Sequence, residues 1–529
     1  MAETADTAAE QEEVLTDQDI VTGAKEPSLK PADVKAPELT GDIQIPHLVK
    51  GAMAKSKCHA AKPETMEAMG FPGRLVDNWE EAAVKKLGEL LTKYKSLQVY
   101  LDICVRCGSC TDKCQFFLGS KDPKNMPVAR ADLLRKVYKK YFTTEGKIFG
   151  SLAGAAKLDL ELLGEWYTYF HQCSQCRRCS VFCPYGIDTA EISMAAREIM
   201  DSIGIGQKYV NTVLVKLHEI GNNLGMNPKA LKATMESTEE DIQEEDGVAV
   251  KLPVDQVGAE VLLITPSADF FATPHIESLI GYAKVFHQAG ISWTLSSTAS
   301  EAGNFGMFIG SYEHMQKAAM RIRKAIEELK PKRLIVGECG HAWRIAYAFW
   351  NTMIGPLDNS LGLKLEYPRP QHICEYTLDL VERGAIKLDK SANDDVIPTF
   401  HDSCNVARAT RMGDRPGGQF EIPRALINAA CNRYVEMDSD TIKEKTFCCG
   451  GGGGLLSDEI LDVRVQGAMP RMQAYHAIKE ENGANFFALI CAICKAQFTK
   501  VFPKYGIPMI EVGGIHQLVA KAIELGAKE

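Results

Sequence analysis

No apolar run in the 529 residues approaches the roughly 18–20 needed to span a bilayer, so no transmembrane segment is expected. Basic charge is not in excess either, and a formal net charge of −9 argues against a general nucleic-acid binder. The first residues show neither the basic start nor the apolar core of a secretory signal. A reducing compartment is therefore expected, in which thiolates serve metals instead of disulfides. Periodicity is missing from residues 1–75, an Ala/Glu/Pro/Lys-rich tail expected to be disordered or draped over a partner. The rest, in a chain 45% apolar, suits two or three globular domains.

Cysteine, by contrast, is abundant. There are seventeen, and thirteen fall in tight, metal-like spacings. Cys58 stands alone in the tail and is not expected to be a ligand, Cys431 on an apolar helical face is expected in the core, and Cys374, without a spaced partner, is expected to be structural. Cys104-x-x-Cys107-x-x-Cys110-x-x-x-Cys114 is answered by Cys173-x-x-Cys176-x-x-Cys179-x-x-x-Cys183-Pro184. Three cysteines at three-residue steps wrap one face of a cubane, and the fourth crosses to the other cluster. Cys104, Cys107, Cys110 and Cys183 are thus expected to hold one [4Fe-4S] cluster, and Cys173, Cys176, Cys179 and Cys114 a second. Two structural zinc ions are the alternative, although zinc does not require the symmetric fourth cysteine. Gln115 stands where the motif has proline, which loosens the local turn.

The second constellation opens with Phe400-His401-Asp402-Ser403-Cys404. It continues through Cys448-Cys449 and the glycines Gly450 to Gly454, and closes with Cys491-Ala492-Ile493-Cys494. Neighbouring cysteines rarely reach one metal ion, but they suit a multi-iron cluster whose iron atoms offer separate bonding directions. The glycine run lets backbone approach inorganic sulfur and leaves room for something to dock. Buried apolar cysteines beside a glycine turn are the blander reading.

Cys404, Cys448-Cys449-Gly450 and Cys491-x-x-Cys494 resemble the CCG domain of heterodisulfide reductases. That resemblance implies a noncubane [4Fe-4S] cluster on all five cysteines, acting on disulfide-type bonds. With the ferredoxin motifs it extends to the HdrD-like, DsrK-type iron–sulfur subunits of DsrMKJOP complexes. It then implies electrons from a quinol-oxidising cytochrome b partner of DsrM type, with the other DsrMKJOP subunits as neighbours. The implied acceptor is the disulfide or trisulfide of DsrC, and the implied place is the cytoplasmic face of the membrane, through a membrane subunit. Alternatives are an electron-relay CCG subunit of a glycerol-3-phosphate, lactate or glycolate dehydrogenase, and the HdrD-like subunit of a Tmc or Hmc complex.

The fold class read here is multidomain, α+β with α/β: a mainly helical two-cluster ferredoxin domain, then a duplicated α/β CCG domain. Residues 76–235 carry helical periodicity at 78–100, 127–141 and 187–235. Seven acids among residues 236–246 suggest a linker over 236–255. Beyond it, strands at 261–264, 292–295 and 333–336 alternate with helices at 275–288 and 312–329, implying a parallel sheet. The second set has strand-like stretches at 396–400, 486–490 and 508–512 and helices at 422–434, 457–478 and from Ile515. The first half, 256–395, is degenerate beside the second, 396–529. It offers Cys339-Gly-His341-Ala342 for Cys-x-x-Cys and Glu301-Ala-Gly for Cys-Cys-Gly. One noncubane cluster is therefore expected; Cys339, His341 and Arg344 either line its cleft or are simply a strand end and a helix start. The 43 residues between Cys404 and Cys448 include Arg408, Arg411 and Arg415, read as a basic loop that receives an anionic protein tail.

Overall fold

A computed structural model describes residues 67–68, 70–358 and 362–525. Cys58 and the tail through residue 66 lie outside the described residues.

The cysteine-rich segment is helical. The periodicity at 78–100 gives two helices, Trp79–Lys93 and Lys95–Ile103, because Tyr94 takes an extended backbone between them. Helix Pro127–Phe142 starts on a proline, whose missing N–H costs nothing there, and buries Leu133, Leu134, Val137 and Tyr138. Helix Thr189–Ser202 is capped by Asp188, which accepts from the Ala190 and Glu191 N–H groups. These elements share one apolar core with Trp166, Tyr167 and Phe170.

The acidic segment read as a linker is corrected in part: residues 236–246 finish the helix Pro228–Asp246. Leu231, Met235, Thr238 and Ile242 recur at helical spacing and are buried, so the acids decorate the outer face. No helix among the described residues is long and apolar enough to cross a membrane.

Two parallel sheets follow. The first has order β2-β1-β3-β4, with β1 Val261–Ile264, β2 Trp293–Thr294, β3 Arg333–Val336 and β4 Tyr367–His372. The second has order β5-β6-β7, with β5 Pro398–His401, β6 Phe486–Leu489 and β7 Val512–Gly514. Strand β4 escapes sequence reading because it contains Pro368 and Pro370, which an edge strand alone tolerates. The stretch at 508–512 turns first through a 3₁₀ turn, Met509–Glu511, before β7. The helix expected at 422–434 runs instead from Gly418 to Ala430, with Cys431 buried at its C-cap.

Aromatic packing fixes the site's scaffold. Phe487 of β6 meets Tyr475 at 4.6 Å and Phe498 at 5.0 Å, and burying each such ring is worth about 1.5–3 kcal/mol. Phe498 belongs to the helix Ala492–Val501, whose first turn carries Cys494. The helical segment and both halves belong to one compact unit.

Candidate functional site

The two ferredoxin motifs adopt matching loops. Arg106 and Gln175, each just before the second cysteine of its motif, are left-handed at φ 57 and 56. Gly108 and Arg177, each just after it, are left-handed at φ 84 and 62. Such turns point successive thiols and amides inward. One pocket is lined by Cys104, Cys107, Cys110 and Cys183, and also by Cys179. A second is lined by Cys114, Cys173, Cys176 and Cys179. The fourth cysteine of each motif thus lies with the other motif's three.

Gln115 does more than loosen a turn. It is buried, starts the helix Gln115–Ser120, and donates to Ser174 Oγ at 2.9 Å. Its Oε1 lies 3.7 Å from Cys176 Sγ, so it ties the first motif to the second.

All five CCG-type cysteines are buried. Cys404 leads a helix after β5, and Cys491 caps the helix after β6. Cys404 and Cys448 sulfurs lie 3.8 Å apart. Cys449 lies beside both Cys448 and Cys494, and Cys494 also lies beside Cys491. Gly450 N–H and Gly451 N–H donate to Cys448 and Cys449 sulfurs at 3.4 Å each. His401 Nε2 lies 3.6 Å from Cys494 Sγ, and burial pulls this imidazole down to about 3, so it is neutral.

Hydrogen bonding from Cys404 holds Cys448 well below the ordinary thiol range and pushes Cys404 well above it. Burial pushes Cys491 upward, but contacts with Cys339, Cys494 and His341 outweigh it and hold the thiolate low. The thiols therefore share protons among themselves. Ionising all five in a buried site requires compensating positive charge, which the ions of an iron–sulfur cluster supply. The convergent donor set fits such a cluster.

The first half contributes to the same place. Cys339 is buried beside Cys491, and His341 Nδ1 lies 3.6 Å from Cys491 Sγ. Arg344 donates to Asn405 Oδ1 at 3.1 Å, and Asn405 Nδ2 lies 3.7 Å from Cys404 Sγ.

The space beside the glycine run is occupied by the chain's own helical segment. A side chain at Gly453 would come within 2.9 Å of the Cys173 carbonyl, and one at Gly452 within 3.2 Å of the Ser174 carbonyl. Buried Arg197 bridges the two, donating to Cys173 O at 2.7 Å and Gly453 O at 2.8 Å, and also to Phe170 O and Phe308 O. Arg408 is likewise not free to meet a partner: it donates to Cys176 O at 2.5 Å, Glu444 O at 2.8 Å and Thr446 O at 2.9 Å. Arg411 and Arg415 remain exposed.

Further residues that motif reading missed hold the loops. Asp402 accepts a two-pronged bond from Arg424 at 2.8 and 2.9 Å and a third from Lys443 N–H at 2.8 Å. Gln497 donates to Cys449 O at 3.1 Å. Between the halves, fully buried Glu338 accepts from Lys495 at 2.7 Å and from His516 at 2.8 Å. Cys374 lies with Glu338 and His516 within 4.8 Å, but the Lys495 ammonium already supplies the charge that a cation would bring there.

The chain matches the 4Fe-4S dicluster domain family over residues 100–187 and the cysteine-rich CCG family over residues 398–499. It is 40% identical over 481 residues to the Hdr-like menaquinol oxidoreductase iron-sulfur subunit 2 of Archaeoglobus fulgidus, covering 86% of this chain and 85% of that one. The Hdr-like menaquinol oxidoreductase iron-sulfur subunit of Archaeoglobus profundus is 39% identical, with the same coverage. A subunit of the dihydromethanophenazine:CoB--CoM heterodisulfide reductase of Methanosarcina mazei is 25% identical, over 81% of this chain and 95% of that one.

Proposed function

The chain belongs to the Hdr-like menaquinol oxidoreductase iron–sulfur subunits, and on that footing we propose that it is a DsrK-type catalytic subunit that reduces a disulfide or trisulfide. Two [4Fe-4S] cubanes sit at Cys104, Cys107, Cys110, Cys183 and at Cys173, Cys176, Cys179, Cys114. A noncubane [4Fe-4S] cluster sits at Cys404, Cys448, Cys449, Cys491 and Cys494. Electrons come from a quinol through a cytochrome b partner of DsrM type, and the acceptor is DsrC, on the cytoplasmic face of the membrane.

The observation that carries this reading is the order of the three cysteine groups. In the first group Cys107 is exposed; the second is partly buried; the third is wholly buried. The second and third meet through the Cys173–Gly453 contact and Arg197. The arrangement is a path from surface to interior that ends where sulfur donors converge.

When bound, the three clusters supply one-electron carriers and, at the last, iron able to accept a sulfur ligand. The chain's own residues do the rest. Arg197 and Arg408 lock the second group against the third. Gly450 and Gly451 N–H groups stabilise negative charge on the adjacent sulfurs, and neutral His401 presents an uncharged imidazole to Cys494. A disulfide takes two electrons and two protons to give two thiols, so two single deliveries are needed along this path.

Anaerobic pull-down from native membranes tests the reading. A co-purifying b-type cytochrome, with sulfide release from DsrC trisulfide on addition of a reduced viologen, is expected. A flavoprotein dehydrogenase in their place, with no sulfide release, would leave only an electron relay.

A further inference from the structure

Beyond its last turn, the helix Pro127–Phe142 is followed by a bracket that folds back onto it. Thr143 caps the short helix Thr144–Phe149, its Oγ1 accepting from the Gly146 N–H at 3.1 Å. Gly146 is the packed position, because a side chain there would overlap the Lys139 carbonyl. Gly150 at φ 52 and Gly154 at φ 72 then reverse the chain. Lys139 Nζ donates to Ala153 O at 2.9 Å, and Ala156 N–H to Lys136 O at 3.1 Å. With the glycine side packed, Ile148, Phe149 and Leu152 are left 69%, 57% and 91% exposed.

One exposed apolar side chain is ordinary. Three within five residues, with Phe142 also exposed just before them, make a protruding patch. Leu152 is the most exposed large apolar residue among the described residues. The charge around it runs against that of the chain. Residues 136–157 hold Lys136, Lys139, Lys140, Lys147 and Lys157 and a single acid, Glu145, in a chain of net charge −9. Lys139 is used by Ala153 O, and Lys157 by Glu80 at 2.9 Å, whereas Lys136 and Lys147 are exposed. Apolar tips among lysines suit the surface of an anionic bilayer: the tips enter the acyl boundary and the ammonium groups stay with the phosphates. A protein partner fits less well, because protein interfaces are depleted in lysine.

We propose that Ile148, Phe149 and Leu152 insert into the membrane surface while Lys136, Lys140 and Lys147 hold anionic lipid headgroups. The chain then touches lipid directly, apart from any membrane subunit. Pro127 and Val128, at the other end of the same helix, line the pocket of Cys104, Cys107, Cys110 and Cys183. At 1.5 Å per residue the helix spans about 22 Å, so it fixes that pocket at a set distance from the lipid contact. The proposal does not depend on the sulfur chemistry above.

Flotation of the purified full-length holoprotein with phosphatidylcholine vesicles, with and without phosphatidylglycerol, tests it. Binding to the anionic vesicles is expected, weakened about tenfold or more in the triple variant Ile148→Ser, Phe149→Ser, Leu152→Ser. Lys136→Gln and Lys147→Gln should each weaken it about fivefold. All five positions lie on the surface, so the visible absorption of the clusters should not change. Equal binding to neutral and anionic vesicles, or unchanged binding in the triple variant, would overturn the proposal. So would a parent that ignores both vesicle types yet needs the three apolar residues to stay on native membranes, for the patch then meets a protein. Leu152→Trp gives an independent readout. Its emission should shift to the blue on anionic vesicles and be quenched by brominated lipid; emission that neither shifts nor is quenched overturns the proposal even where the protein floats.

Discussion

Cys491 and Cys339 occupy the same place in two similar frames. Each caps the helix that follows an interior strand of its sheet, β6 or β3, with φ −148 and −136. Three residues later the second half has Cys494 and the first has Ala342. Where the second half carries Cys448-Cys449-Gly450, the first carries Glu301-Ala302-Gly303, and the Glu301 carboxylate is taken up by Ser267 N–H at 3.0 Å and Ser267 Oγ at 2.7 Å. His341 is packed edge-on against Phe308 at 5.2 Å. The first half keeps a parallel sheet with a helix after its interior strand although it carries only one cysteine at these positions. What the first half retains is a wall: Cys339 and His341 lie against Cys491, and Arg344 reaches the Cys404 side through Asn405.

The comparison breaks most visibly at the thiols. Cys449→Ser should abolish disulfide or trisulfide reduction while both cubane signals in electron paramagnetic resonance persist. Cys107→Ser should do the reverse, slowing electron supply while thiol binding at the third site remains. Full activity in Cys449→Ser would move the chemistry elsewhere.

Next in size is the seam between the halves. Burial would raise Glu338, but Lys495 and then His516 outweigh it and hold the carboxyl far below its ordinary value of 4.5. A depressed folded value means that its stability contribution is complete above about pH 4.5 and is lost as pH falls below that value. Glu338→Gln should cost about 3–5 kcal/mol near neutrality, the cost of leaving a buried partner charge uncompensated. Its acid-unfolding curve should be shallower than the parent's below pH 4.5. Parallel curves would show that the pair contributes no linkage.

The seam was invisible in the sequence because Glu338, Lys495 and His516 come from three distant segments, and no local spacing signals their meeting. The same holds for Arg197 and Arg408, whose partners are mostly backbone carbonyls far along the chain. Motif spacing, by contrast, named all thirteen grouped cysteines, and periodicity placed β1, β3 and the helix at 312–329 at their observed bounds. Composition misled at residues 236–246, where acids on the outer face of a helix imitate a linker.

A smaller effect is expected at Arg197. Arg197→Met leaves the carbonyls of Phe170, Cys173, Phe308 and Gly453 without this donor. It should lower stability by about 3 kcal/mol and slow electron transfer between the second and third sites, read by rapid-freeze spectroscopy. Unchanged transfer would mean that the two sites are held together by other contacts.

The smallest effect is expected at the exposed arginines. Arg411→Ser with Arg415→Ser should weaken binding of an anionic protein partner at low salt and hardly at high salt, since exposed charges act mainly on association rates. Equal binding across salt would make them ordinary surface residues.

The central claim is that one half holds a cluster and the other only walls it. Iron and acid-labile sulfide, measured on anaerobically purified parent, Cys449→Ser and Cys339→Ser proteins, test it most directly. About twelve iron atoms are expected in the parent and in Cys339→Ser, and about eight in Cys449→Ser. A parent value near eight, or a loss of four irons in Cys339→Ser, would contradict the account.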